Sequence, residues 1–114
     1  MRNPLLALER IFSVTKRQLI LDTHVDCVMT KRPMIAFYPG SELNNDPTNW
    51  CGPNRAAVEA MLKTIGFSRV EMVHQRFRFN FGYRLARAIK HKLIDRESFR
   101  LSLAQNRMVF HAWR

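Results

Sequence analysis

The sequence predicts an α/β fold, and three observations carry that prediction. Leu19, Ile20 and Leu21 form a continuous apolar run that turns polar over Asp22, Thr23, His24, Val25 and Asp26. That is the pattern of a strand buried on both faces whose C-terminal end meets a cleft. Ala57, Val58, Met61, Leu62 and Ile65 recur at helical spacing, and Phe67 to Val73 returns to a strand-like run. Strand, loop, helix and strand in that order imply a right-handed crossover between parallel strands. A third strand-like run occupies Met108 to Trp113. With 114 residues the chain is expected to form one domain, residues 1–114. At this size folding buries about two-thirds of the extended surface, so loss of any element is felt.

Each element has local support. Asn3 is placed to cap a first helix, with Pro4 in the first turn where a missing N–H costs nothing. Leu5, Leu8, Ile11 and Phe12 continue it at helical spacing until Thr15, Lys16 and Arg17 turn the chain. Asn54 caps the second helix and Gly66 supplies its left-handed stop. A third helix is expected from Tyr83 to Leu93, with Leu85, Ile89 and Leu93 inside and Arg84, Arg87, Lys90 and His91 outside.

Between the first strand and the second helix lies AFYPGSELNNDPTNWCGP, residues 36–53, with no apolar period. Loops this long are uncommon inside compact domains and, when ordered, are often lids or binding walls. Pro39, Pro47 and Pro53 restrict the backbone, Gly40 and Gly52 permit positive φ, and Phe37, Tyr38 and Trp50 give the segment apolar mass. It is either an Ω-loop with its own small core or one wall of a ligand site, with Trp50 anchoring it on the sheet's C-terminal edge.

The formal net charge is +10, and it is uneven: residues 75–114 hold ten basic and two acidic side chains. A basic half favours polyanions such as RNA, and it also serves solubility. In HQRFRFNF, His74 to Phe81, strict alternation places Phe77, Phe79 and Phe81 on one face and Arg76, Arg78 and Asn80 on the other. Such a segment is a half-buried strand with a solvated face, or a platform that stacks bases and holds phosphates. In the second case Arg76, Arg78, Arg84, Arg87 and Lys90 are the nucleic-acid contacts. Cys27 and Cys51 lack the paired spacing of a metal site and are expected to be free thiols, with no metal bound. Neither a signal peptide nor an apolar run near the roughly 20 residues of a membrane span is visible, so a cytoplasmic protein without membrane contact is expected.

Four stretches together carry a family resemblance: RNPLLALERI; LILDTHVD; AFYPGSELNNDPTNWCGPNRAAVEAMLKTIGFSRVEMV; and NRMVFHAW. They resemble the C-terminal half of a class I S-adenosylmethionine-dependent methyltransferase, most closely the family that includes the tRNA wobble-uridine carboxymethyltransferase. The YPG, NDPTNW and GPN elements of the loop are the specific part of the match. The resemblance implies a partial Rossmann-like, mixed sheet with flanking helices. In it Leu19 to Thr23 is the fifth strand, Phe67 to Val73 the sixth, and Met108 to Trp113 an antiparallel seventh inserted between them.

The cofactor-binding half of such a domain is absent from the sequence. Gly40, Gly52, Gly66 and Gly82 form no glycine-rich turn followed by a ribose-binding acid. The expectation is therefore a substrate-side piece, a truncated reading frame or one part of a split enzyme. It is not competent in catalysis alone and does not itself bind S-adenosylmethionine or its carboxy derivative. On the substrate side the resemblance implies Asp22, Thr23 and His24 at the strand end, and Tyr38, Asn49 and Trp50 in the loop. His24 is either a general base or a hydrogen-bonded structural histidine, and Asp22 stands where the family more often has glutamate. Arg107 matches an arginine that meets the extra carboxylate of the carboxy cofactor, a contact suited to a guanidinium. Without a fourth strand, Leu19 to Val25 would present an unpaired edge, favouring a homodimer or a partner chain that supplies the missing half. The alternative is a small basic RNA-binding or protein-interaction module derived from the same fold, using Arg76 to Lys92.

Overall fold

The computed structural model describes residues 2–43, 45–76 and 106–114, excepting the side chains of residues 74–76 and 106. The described elements are α1 (Pro4–Val14), β1 (Gln18–Val25), β2 (Ile35–Phe37), β3 (Cys51–Pro53), α2 (Arg55–Ile65), β4 (Arg69–Arg76) and β5 (Asn106–Trp113). The fold is α/β, as the sequence predicts. The expected helix at Tyr83 to Leu93, the aromatic row Phe77 to Phe81, and Arg78, Arg84, Arg87 and Lys90 lie outside the described residues, as does the Arg76 side chain.

Both helices begin as their caps dictate. The Asn3 side chain accepts from the Leu6 N–H at 3.0 Å, and that of Asn54 accepts from the Ala57 N–H at 2.8 Å. Gly66 ends α2 at φ +124°, and a Cβ there would stand 3.0 Å from the Phe12 ring. The position thus excludes side chains both by backbone conformation and by space. Phe12 in turn meets Phe67 edge to face at 4.9 Å, which fixes α1 against the turn leaving α2.

The main sheet has the order β1–β5–β4. β5 is antiparallel to β1, with Gln18 opposite Trp113 and Val25 opposite Asn106, and antiparallel to β4, with Arg69 opposite Trp113. Every pairing described is therefore antiparallel, in place of the mixed sheet expected. β1 and β4 run in the same direction but are separated by β5, so they share no hydrogen bonds. A bulge between Met72 and His74 shifts the register of β4.

Leu8, Val25, Val58, Leu62, Phe67, Met108, Phe110 and Ala112 form the core, where α1 and α2 cover one face of the sheet. The other face is open among the described residues: Ile20 is 63% exposed and Val73 55%. The expectation that β1 is buried on both faces is corrected accordingly, for its burial alternates from Gln18 to Thr23. Its apolar triplet is long enough to look doubly buried, yet only Leu19 and Leu21 pack on the core.

The long loop has the small core of the Ω-loop alternative and, in addition, a paired neck. β2 and β3 pair antiparallel, Ala36 opposite Gly52, and the Tyr38 N–H extends the ladder to the Trp50 carbonyl at 2.8 Å. The segment is thus an ordered excursion closed at its neck, with Tyr38 and Leu43 as its buried core.

Candidate functional site

The loop neck meets the sheet at the C-terminal end of β1, where the Asp26 N–H donates to the Pro53 carbonyl at 2.9 Å. Ligands of α/β sheets bind beyond the carboxyl ends of strands, so this junction is the natural place for a site. Two polar side chains, Asp26 and Tyr38, pack together there. The Asp26 carboxylate is 2% exposed and the Tyr38 side chain belongs to a residue 3% exposed. Asp26 Oδ1 accepts from the Cys27 N–H at 2.7 Å, a local closure that accompanies a positive φ at Cys27. Asp26 Oδ2, the Tyr38 hydroxyl and His24 Nε2 are buried with no hydrogen-bond partner among the described residues. Such groups are few in folded proteins, and each calls for a physical reason.

Gly52 makes the close approach of Asp26 and Tyr38 possible. A Cβ at that position would stand 2.9 Å from Tyr38 Cε2, 3.1 Å from Asp26 Cβ and 3.3 Å from Asp26 Oδ2. Two polar side chains from separate segments therefore share the space that a larger residue would fill.

His24 lies two residues before Asp26 on the same strand end. Burial pushes its imidazole below the ordinary value, the Asp26 carboxylate opposes that shift, and Arg107 adds to it. Because the folded-state value lies below the unfolded one, the unfolded chain takes up the proton more readily. The contribution of His24 to stability is therefore complete above the ordinary value near 6.5 and is lost as pH falls below it. The melting temperature should decline through this window, and His24→Gln should flatten the decline. An unchanged slope in that variant would show that His24 is not the group responsible.

The other expected substrate residues are placed differently. Asp22 is exposed on the open face of the sheet and pairs with Arg107, Nε to Oδ1 at 3.1 Å. Arg107 lies opposite His24 in the β1–β5 register, at the C-terminal end of β1. Thr23 turns its hydroxyl to the neighbouring His24 carbonyl at 3.4 Å. Asn49 donates to Asp46 Oδ2 at 2.7 Å, within a turn in which Asp46 Oδ1 also accepts from the backbone and hydroxyl of Thr48. The two bonds from Thr48, that of its hydroxyl first, hold the Asp46 carboxyl below its usual range.

Trp50 does not anchor the loop on the sheet edge. Its indole N–H donates to the Pro47 carbonyl at 2.9 Å, its ring meets Phe37 edge to face at 6.2 Å, and Arg2 lies over it at 4.4 Å. The loop is thus pinned to the segment preceding α1, on the outer side of the neck.

Of the six residues expected on the substrate side, His24 and Tyr38 each carry a buried polar atom without a hydrogen-bond partner among the described residues. Asp26 packs with Tyr38 against Gly52 and its charge acts on His24, although the sequence assigned it no role. The signal available was alternation, since Asp22, His24 and Asp26 are spaced by two along the polar end of β1.

Cys27 and Cys51 are free thiols, and burial followed by the nearby Asp26 charge raises the Cys27 thiol. Among the described residues no group of three or more His, Cys, Asp or Glu side chains is placed to hold a metal ion. No helix among them is long and apolar enough to cross a membrane. The chain matches no protein-family model, no curated protein and no solved structure.

Proposed function

We propose that this chain forms the substrate-side half of an S-adenosylmethionine-dependent methyltransferase domain acting on RNA, and that a cofactor-binding half on the same polypeptide or another completes it. The carrying observation is the order β1–β5–β4, with β5 antiparallel to two strands that share a direction and α2 on the path between them. The resemblance implies that arrangement for the fifth, seventh and sixth strands. In support, the YPG to GPN loop meets the C-terminal end of β1 and brings Tyr38 to Asp26. RNA is favoured by the ten basic residues in 75–114 and by the tRNA-modifying enzymes that the loop resembles.

The described residues do not fit the cofactor. Gly40 lies in the loop, Gly52 within β3 and Gly66 at the end of α2, so none opens a helix directly after a strand. The work of this chain is to position the acceptor substrate and to exclude water from it. Arg107 would reach a cofactor carboxylate from the other half by releasing or sharing Asp22.

Calorimetry with S-adenosylhomocysteine tests the proposal. The chain alone should show no binding. A mixture with a polypeptide carrying the glycine-rich turn and first four strands of such a domain should bind it. Specific micromolar binding by the chain alone contradicts the proposal, as does a folded mixture that binds nothing.

A further inference from the structure

We propose that the groove between α1 and α2 docks an amphipathic helix of a partner protein, one whose apolar face is bordered by acidic side chains. The assignment does not depend on the methyltransferase reading. The groove has a volume of about 320 Å³ and is lined by Leu5 of α1, by Met34 and Ile35 where the chain enters β2, and by Ala57, Ala60, Met61 and Thr64 of α2. Leu5 is 39% exposed, Met34 44% and Ile35 45%, so apolar surface stands open there among the described residues.

Shape selects a helix. Residues 57, 60, 61 and 64 fall on one face of α2 and cover about 10 Å along its axis, the length of two turns. The two alanines in that row let a second helix approach at an ordinary interhelical distance, the helix-in-groove mode of recognition. Sites for small molecules enclose most of their ligand, whereas this groove is open to solvent. A lipid surface would be met by protruding side chains such as Met29, which is 92% exposed, rather than by a trough. The groove is also held in shape before anything binds. Asn54, at the start of α2, accepts from the Met34 N–H and donates to the Thr30 and Arg32 carbonyls, which fixes the segment carrying Met34.

Charge selects the partner. The segments that form the groove, residues 2–6, 30–35 and 55–64, carry Arg2, Lys31, Arg32, Arg55 and Lys63 against one acid, Glu59. Arg55 engages that acid at 2.7 Å. Lys31, Arg32 and Lys63 are exposed and belong to none of the ion pairs described. The strand arginines differ, since Arg69 is paired with Glu71 and Arg107 with Asp22. An apolar groove among unpaired cations attracts acidic flanks, and a second copy of this chain would bring the same cations and be repelled.

The test uses the full chain, with the Ala60 and Met61 methyl signals followed by NMR. It is titrated with a helical peptide of about 14 residues that carries leucine on one face, glutamate bordering it and alanine elsewhere. A second peptide has lysine in place of glutamate, and a third has serine in place of leucine. The glutamate peptide should give saturable shifts, the serine peptide none, and the lysine peptide should bind at least about tenfold more weakly at low salt. Met34→Glu, at an exposed position, should fold and lose binding, whereas Met29→Glu, outside the groove, should keep it. Lys31→Glu combined with Arg32→Glu should narrow the preference for the glutamate peptide. The proposal is overturned by no saturable shift with the glutamate peptide, by equal binding of the glutamate and lysine peptides, or by undiminished binding in Met34→Glu. A dimer that forms with concentration and is dispersed by Met34→Glu assigns the groove to a second copy and also overturns it. So does binding to phosphatidylserine vesicles that Met34→Glu abolishes, with no response to the peptides.

Discussion

Asn54→Ala should destabilise the protein by about 3–5 kcal/mol, combining loss of a helix cap with loss of several buried hydrogen bonds. Asn54 is 1% exposed, and its side chain does far more than cap α2. Oδ1 accepts from the Ala57 N–H at 2.8 Å and the Met34 N–H at 3.1 Å. Nδ2 donates to the Thr30 carbonyl at 2.9 Å and the Arg32 carbonyl at 2.7 Å, while the backbone N–H donates to Met34 at 2.9 Å. One side chain thus satisfies four backbone groups from two segments distant in sequence. Alanine leaves all four without it, and the segment 30–34 loses its attachment to α2. Asn54→Asp should recover only part of the loss, since a carboxylate keeps the two acceptor bonds but cannot donate to Thr30 and Arg32. Urea denaturation of the three proteins checks this order. An alanine variant within 1 kcal/mol of wild type would mean that water or rearrangement replaces the network.

The second large effect is expected at Phe110. It is fully buried on the central strand β5, and its cross-strand neighbours are Leu21 on β1 and Met72 on β4. Truncation to alanine removes most of a ring from the layer that both helices cover and should cost about 3–5 kcal/mol. For a domain of this size such a loss approaches the whole of its stability. Phe110→Leu, which retains much of the volume, should fold and melt between the two. If Phe110→Ala melts within a few degrees of wild type, β5 is not the centre of the core.

Much of this fold is written locally. Asn3, Asn54 and Gly66 act through backbone groups within a turn of themselves, so residue type and position sufficed to place both helix starts and the stop of α2. The three main strands were also legible, because Leu19 to Leu21, Phe67 to Val73 and Met108 to Trp113 concentrate β-branched, aromatic and aliphatic residues. The neck of the long loop was not. β2 and β3 each span three residues, and β3 contains a glycine and a proline, so no alternation could announce their pairing. The face of Ile20 was misjudged because an apolar triplet does not reveal whether a second layer exists.

The candidate site was legible in part for the same reason. His24 and Tyr38 sit in recognisable contexts, a polar strand end and an aromatic loop. Asp26 gains its importance from Gly52, a neighbour 26 positions away whose lack of a side chain admits both Asp26 and Tyr38. The further bonds of Asn54 likewise depend on residues 20 to 24 positions distant. Long-range closures of this kind leave no periodic trace in the sequence.

In the proposed methyltransferase domain, the free edge of β1 receives a strand from the cofactor-binding half. Amide hydrogen exchange along Gln18–Val25 tests it most directly. In the chain alone, amides that pair with β5 should exchange slowly and the alternate ones quickly, because among the described residues β1 has a neighbour on one side only. When the cofactor-binding half is added, the quick set should become slow. Uniformly slow exchange along β1 in the chain alone, unchanged by that addition, would contradict the claim.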